Sequence, residues 1–494
     1  MPVDNYFIRL MAEVIHTNQG TCLACQPQQI IIPVYGVRFD ESTNSKYPQW
    51  LKRLQLGWIY WQRQSNLEKT LRERLKPYLD CQEIRSIKLV PVTHFFLASI
   101  FDHFIFRLKT LLKLPNATKI REFDLSDQVI DTYLRFKPSA KYNSQDPFIK
   151  DIWHRARALN YLIKYYSRHV KSGSTTSICS YTTYITGGVF SRQSVASGCT
   201  LITLGNSLSY FKIHNKTNSL PPSHMEDHCL YTLDQAMKLP AQIIQTAEET
   251  LYNRTQGKYD NSMPYMTRSH QTDQVKSLVS TSCSKKIVML LHDFFDSPHA
   301  YDWMLFDDFW SWAYESITFC VQNQIPLVIK PHPNQLPESA IVASELQDQF
   351  RDYDLVEWLS PSIPNSVIFN QCPKLIVSVY GSVAAEATYC SQPVLLAGDH
   401  PGINFNIGFT AKTKFDYWQS LQHPESIPIG SARDAIYFTA LHNKNIFSHK
   451  NDSLWTHEGI DDKTTESNPE ILNTEHVNSY VSKMTKKLLN SVKT

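Results

Sequence analysis

Between residues 285 and 400 one pattern keeps returning: a short apolar run that stops at a proline, glycine or charged residue, then a segment with apolar residues at helical spacing. KKIVMLLHDF reads as strand, FDDFWSWAYESITFCVQ as helix, IPLVIKPHP as strand and ESAIVASELQDQF as helix. LVEWLS and KLIVSVYGS follow as strands, SVAAEATYC as helix and PVLLAG as strand. Runs that are apolar throughout suit strands covered on both faces, and strands separated by helices imply parallel βαβ units. In the first of these helices Phe306, Phe309, Trp310, Ala313, Ile317 and Cys320 trace one face, as packing against a sheet requires.

The first half alternates in the same way. QIIIPVYGVRF (29–39) and IKLVPV (87–92) read as strands, with an amphipathic helix between them to about residue 78. HRARALNYLIKYYSRHV (154–170) reads as helix. SICSYTTYITGGVFSRQSVASGCTLITLG then reads as strand, glycine turn, helix, strand. A chain of 494 residues is too long for one ordinary core. The expectation is an α/β protein with two doubly wound domains in tandem. The first covers 1–260, a polar linker 261–284, the second domain 285–430, and C-terminal helices over 431–494 pack back on the first domain.

Composition narrows the function. With 49 basic and 46 acidic residues and a net charge of +3, no concentrated basic field calls for nucleic acid. Cys22 and Cys25 form a lone CxxC with nothing to complete a zinc tetrahedron, so reduced cysteines in a cytoplasmic protein are expected. MPVDNYFIRL has no positive start followed by an apolar run, so no secretory leader is expected. FFLASIFDHFIFRLKTLL (95–112) is broken by Asp102, His103, Arg107 and Lys109; it is expected as a core helix, with a membrane-surface helix as the alternative.

In open parallel sheets ligands bind beyond the carboxyl ends of the strands. In the second half the oddest residues fall there: His292 and Asp293 on the first strand, Lys330 and His332 on the second, Tyr380, Gly381 and Ser382 on a later one. In KPHPN, Pro331 ends the ladder and Pro333 restricts His332, so the imidazole is held ready to donate to an anion that Lys330 neutralises, with a turn-capping histidine between strand-ending prolines as the structural alternative. Gly381 permits a close turn, Ser382 caps the next helix, and free N–H groups make that helix start an anion site. Glu386 falls one position beyond a capping box, so it reads either as an acceptor for ribose hydroxyls or as a solvated glutamate at a helix start. In HDFFDSPH, Asp293, Asp296 or His292 is the candidate general base, with a loop stapled by aspartate turns as the structural alternative. On the acceptor side the candidates are Gly187, Gly188 and Arg192 in YTTYITGGVFSR, with tight helix–strand packing as the alternative role of the glycines, and Tyr35 and Arg38 in VYGVRFD.

HDFFDSPHAYDWMLFDDFWSW, VIKPHPN and SVYGSVAAEATYCSQPVLLAG together resemble the bacterial capsule and surface-polysaccharide biosynthesis proteins, glycosyltransferase-like proteins of the GT-B fold. The likeness is clearest over 287–400 and looser in the first half. It implies two Rossmann-like domains facing a cleft, with a nucleotide-sugar donor, CMP- or UDP-linked, held mainly by the second domain, and a glycan or lipid-linked acceptor held by the first. It also implies that His332 meets the donor phosphate, that Gly381 and Ser382 form the phosphate-binding helix start, and that Glu386 meets the ribose. The expected activity is a cytoplasmic glycosyltransferase of cell-envelope polysaccharide assembly, in peripheral contact with the inner face of the membrane, with no obligatory metal and no cofactor. The rivals are a CDP-polyol phosphotransferase of teichoic-acid type, a nucleotide-sugar epimerase, and a non-catalytic carbohydrate-binding scaffold.

Overall fold

The computed structural model describes residues 123–137, 140–169, 182–203, 232–256, 283–299 and 303–447. It adds the stretches 31–32, 88–89, 176–179 and 212–214 and isolated positions over 97–120 and 482–486. Tyr35, Arg38, Cys22, Cys25, linker residues 261–282 and most of the tail beyond 447 lie outside the described residues. The chain divides into two compact units, one of residues 1–129, 145–221 and 451–494, the other of 130–144 and 222–450.

In the first unit β1 (Ile31–Ile32) pairs in parallel with β2 (Lys88–Leu89). Two helices follow, α1 (Ser126–Phe136), which continues into the second unit, and α2 (Pro147–His169). The run expected as strand, turn, helix, strand is β3 (Thr176–Cys179), α3 (Tyr184–Ala196) and β4 (Thr200–Thr203), with β3 and β4 parallel. A further strand, β5 (Lys212–His214), runs antiparallel to β4, so this sheet is mixed.

The apolar segment near residue 100 differs from its expectation as core. Leu97, Ile100, Phe101, Phe104 and Leu108 are between 41% and 62% exposed. Asp102, 2% exposed, turns inward, where its carboxylate meets His154 Nδ1 at 2.6 Å and accepts from Arg157 Nε at 2.8 Å. Burial alone raises the Asp102 pKa, but these two partners from α2 outweigh it and hold the carboxyl below its usual range. The ion-pair cluster thus decides which face of the segment is inside.

The second unit opens with α4 (Leu233–Met237) and α5 (Ala241–Thr255). A regular alternation follows: β6 (Ile287–Leu290), α6 (Phe309–Gln322), β7 (Leu327–Lys330), α7 (Pro337–Gln349) and β8 (Val356–Trp358). It continues with α8 (Asn365–Phe369), β9 (Leu375–Ser378), α9 (Val383–Tyr389), β10 (Val394–Leu396), β11 (Phe409–Thr410), α10 (Lys414–Gln422) and α11 (Ala432–Phe447). The six strands form one all-parallel sheet in the order β11-β10-β9-β6-β7-β8.

Successive strand residues feed opposite faces of this sheet. Ile287, Met289, Leu327, Ile329, Leu375 and Val377 enter one core with Phe309, Trp312 and Ile317 of α6, Leu346 of α7 and Tyr417 of α10. Val288, Leu290, Val328, Ile376, Val394 and Leu396 enter the other with Leu251 of α5, Ala384 of α9 and Phe438 of α11. Trp312 is fully buried and donates to the Tyr417 hydroxyl at 2.9 Å; truncating such a residue to alanine costs about 3–5 kcal/mol. Asp308 caps α6 by accepting from Ser311 N at 2.6 Å. The doubly wound α/β class expected from the alternation is the one observed. Among the described residues no helix is long and apolar enough to cross a membrane.

Candidate functional site

Counted from β6 in chain order, the sheet reads 3-2-1-4-5-6, the order in which two neighbouring crossovers leave in opposite directions. The reversal lies between β6 and β9, and in sheets of this order ligands bind beyond the carboxyl ends of the strands at that place. His292 lies two residues past the end of β6; Tyr380, Gly381 and Ser382 follow β9.

His292 lies flat on Phe309, centroids 4.7 Å apart and planes 12° apart, with Trp312 and Tyr380 edge-on. Its Nε2 accepts from the Tyr380 backbone N–H at 3.4 Å and lies 3.5 Å from Ser378 Oγ. An accepting Nε2 places the proton on Nδ1 in the neutral ring. Burial among these rings, then the neighbouring His332 and His400, push its pKa down to about 3, so the ring is neutral at pH 7.

His332 repeats the device from the next strand. The Asn334 backbone N–H donates to His332 Nδ1 at 3.2 Å, leaving the proton on Nε2. Burial lowers its pKa to about 4; Asp293 opposes that shift and Lys330 adds to it. The proline-flanked histidine is therefore a neutral donor, partly exposed at the strand end.

Lys330 departs from its expected direction. It is 4% exposed, and its Nζ donates to Asn365 Oδ1 at 2.8 Å; Asn365 Nδ2 in turn donates to Glu386 Oε2 at 3.1 Å. Burial lowers the lysine pKa to about 8 and Glu386 opposes the shift. An amide thus links cation and carboxylate, and Glu386, 5% exposed, belongs to this relay.

The helix start also departs in detail. Ser382 has helical φ/ψ (−54°, −23°) and makes no side-chain cap bond; α9 is instead begun by Ala384 N donating to Gly381 O at 3.0 Å. A Cβ on Gly381 would meet the His292 ring and Val383 Cγ1, each 3.5 Å away, at ordinary contact distance, so the turn lies directly against that imidazole.

Asp293 is a clip: Oδ1 accepts from Phe295 N at 2.9 Å and Oδ2 from Leu336 N at 2.8 Å, tying the HDFFDSPH loop to the loop after His332. Both oxygens are engaged with backbone amides, as the aspartate-stapled alternative expects. Asp296 is exposed and accepts from Ser297 N at 3.0 Å.

In the first unit the glycine turn is absent. Gly187 and Gly188 lie inside α3, and a Cβ on Gly188 would stand 1.5 Å from Gln128 Oε1, so the glycine admits that side chain, whose Nε2 donates to Thr182 O at 2.9 Å. Arg192 forks onto Asp127 at 2.8 and 2.6 Å and donates to Asp124 O at 2.7 Å. A guanidinium so engaged holds the fold together and is already neutralised, which removes the reason to read it as an anion site.

Two residues escaped the sequence reading. Asn365 joins Lys330 to Glu386 with no signal in its own stretch, IPNS. His400, 1% exposed, accepts from Gly402 N at 2.9 Å and helps depress His292; it follows β10, so the strand-end rule could have found it. A cavity of about 340 Å³ lies between α7 and the loop after β8, lined by Pro331, Gln335, Trp358 and Leu359 among others. Among the described residues no three His, Cys, Asp or Glu side chains group as metal ligands.

No protein-family model matches the chain and no curated protein matches it. Among solved structures, the chain is similar to the UDP-GlcNAc 2-epimerase of Methanocaldococcus jannaschii, in complex with UDP-GlcNAc and UDP, at 9% identity over 64% of this chain and 95% of that one, with a TM-score of 0.28. It is similar to KpsC of Thermosulfurimonas dismutans, a beta Kdo 2,4 transferase, at 9% identity over 54% of this chain and 78% of that one, TM-score 0.30. A third is a glycosyltransferase of Rickettsia africae, at 12% identity over 64% of this chain and 83% of that one, TM-score 0.25. At these scores the likenesses carry no argument about function.

Proposed function

We propose that the chain is a glycosyltransferase that uses a nucleotide-sugar, CMP- or UDP-linked, to extend a cell-surface polysaccharide or lipid-linked acceptor. The observation that carries this reading is a pair of imidazoles beyond the carboxyl ends of the neighbouring strands β6 and β7, each anchored through one nitrogen by a backbone amide. Such rings present N–H donors without the cost of burying two more cations beside Lys330. In this reading His332 and the Ser382 hydroxyl hold the donor's phosphate, and Lys330 supplies positive potential from behind through Asn365. Glu386 accepts from ribose with the oxygen that Asn365 leaves. The leaving nucleotide's charge is met by groups already in place, so no metal is required.

The test is turnover: a panel of CMP- and UDP-sugars with glycan or lipid-linked acceptors, with and without EDTA. The reading expects a glycosidic product and a rate unchanged by EDTA. A phosphodiester product would move the chain to polyol-phosphate transfer, and donor turnover that needs no acceptor would make it an epimerase. The outward stripe Leu97, Ile100, Phe101, Phe104 and Leu108, in a segment with Arg107 and Lys109, supports a peripheral place on an anionic membrane. Co-sedimentation with phosphatidylglycerol vesicles, falling in a Phe101→Ser/Phe104→Ser variant, is the expected result; no difference between the two proteins counts against it.

A further inference from the structure

The cavity of about 340 Å³ between α7 and the loop after β8 has a lining of one kind. Its walls are the half-buried indole of Trp358, the ring of Pro331 and the side chain of Gln335, and Ser344 and Gln347 of α7 stand exposed at its rim. No charged side chain lines it. Its volume falls at the lower end of what small-ligand sites enclose, roughly 300–1,000 Å³. An uncharged wall leaves a phosphate or carboxylate without a partner, so the occupant it fits is neutral, with an apolar face and a polar edge.

Two polar atoms of the lining side chains, Trp358 Nε1 and Gln335 Oε1, are buried without a hydrogen-bond partner. A ligand hydroxyl that reaches them therefore breaks no protein hydrogen bond. The Gln335 amide turns about a soft terminal torsion, which brings it to the cavity with the backbone in place.

The cavity lies across the sheet from the groups assigned to the ribose. Along β7, Leu327 and Ile329 enter one core and Val328 the other, and Lys330 follows Val328 toward Asn365 and Glu386. Trp358 and Ala343, which line the cavity, pack on the Ile329 side. Pro331 nevertheless adjoins His332 in the chain. The cavity thus begins beside the proposed phosphate site and runs along the face away from Glu386, which points to a second ligand rather than to the nucleoside.

We propose that this cavity binds a neutral sugar residue of the acceptor glycan. The inference rests on the nucleotide-sugar reading and deepens it. A pyranose carries a face of C–H bonds and a rim of hydroxyls. The face packs on Trp358, and the hydroxyls meet Gln335, Ser344 and Gln347.

The test is calorimetry and saturation-transfer NMR of the full chain with maltohexaose, mannohexaose and chitohexaose, with hexagalacturonate as the charged contrast. Trp358→Ala removes the platform. Ser344→Trp fills the cavity from an exposed helix position and leaves the core untouched, so it decides the matter if Trp358→Ala fails to fold. At least one neutral oligosaccharide should bind, more tightly than hexagalacturonate. Its affinity should fall about tenfold or more in each variant, while the nucleotide-induced rise in Tm stays as in the unaltered chain. Binding of none of the neutral oligosaccharides, binding indifferent to Ser344→Trp, or equal binding of hexagalacturonate overturns the proposal. Displacement of the sugar by UDP or CMP also overturns it, since the cavity would then be the nucleoside's place. Sugar binding that behaves as expected in a chain that no nucleotide stabilises overturns the nucleotide-sugar reading instead, and leaves the cavity a sugar site without an acceptor role.

Discussion

His292 and His332 each spend one ring nitrogen on a backbone amide, and each is held far below the usual imidazole range, at about 3 and about 4. Such groups leave a mark on stability. Between an unperturbed pKa of about 6.5 and these native values the unfolded chain binds protons that the native chain refuses, so stability falls as pH drops through that window. We expect Tm to decline from pH 6.5 toward pH 4, and more shallowly in His332→Ala, which removes one of the two refusing groups. Thermal unfolding across that range checks this; an identical slope in both proteins would contradict the assigned neutrality of His332. What sequence could say of single residues stopped at their direction. KPHPN announced a stiffened histidine, and it is one. Nothing near Lys330 announced Asn365, which lies 35 positions later and turns the lysine inward. Arg192 likewise read as an open cation until Asp127, 65 positions earlier, closed on it.

At the scale of elements, β6, β7, β9 and β10 were legible because each is a short apolar run that stops near a proline, glycine or charge, whereas the two-residue β11 carries no such run and was not read. Their pairing order was not legible, since it depends on which crossover goes to which side. The misread element is α3. Two adjacent glycines look like a turn, but Gly188 is required by the approach of Gln128 across the unit, a contact with no trace in local sequence. The loops at the strand ends are themselves an element, fastened by Asp293 between Phe295 and Leu336. Asp293→Ala leaves two amides to find water and should cost about 1–3 kcal/mol. Hydrogen exchange at Phe295 and Leu336 should accelerate while strand amides of β6 and β7 stay protected. Uniform loss of protection would instead make Asp293 part of the global core.

For the whole molecule, the second unit carries the functional argument, because a parallel sheet covered on both faces leaves its carboxyl edge as the place where polar side chains from separate strands meet. His292, His332, the Lys330–Asn365–Glu386 relay and the Gly381 turn all belong to this unit. The claim at the centre is that the reversal of its strand order grips the phosphates of a nucleotide through neutral imidazole donors. Calorimetric titration of the unaltered chain and His332→Ala with UDP and CMP, each against its nucleoside, tests this most directly. The account predicts that one nucleotide binds well above its nucleoside and loses about tenfold or more in affinity in His332→Ala, with the nucleoside unaffected. Equal affinity for nucleotide and nucleoside, or a nucleotide affinity indifferent to His332, would contradict it.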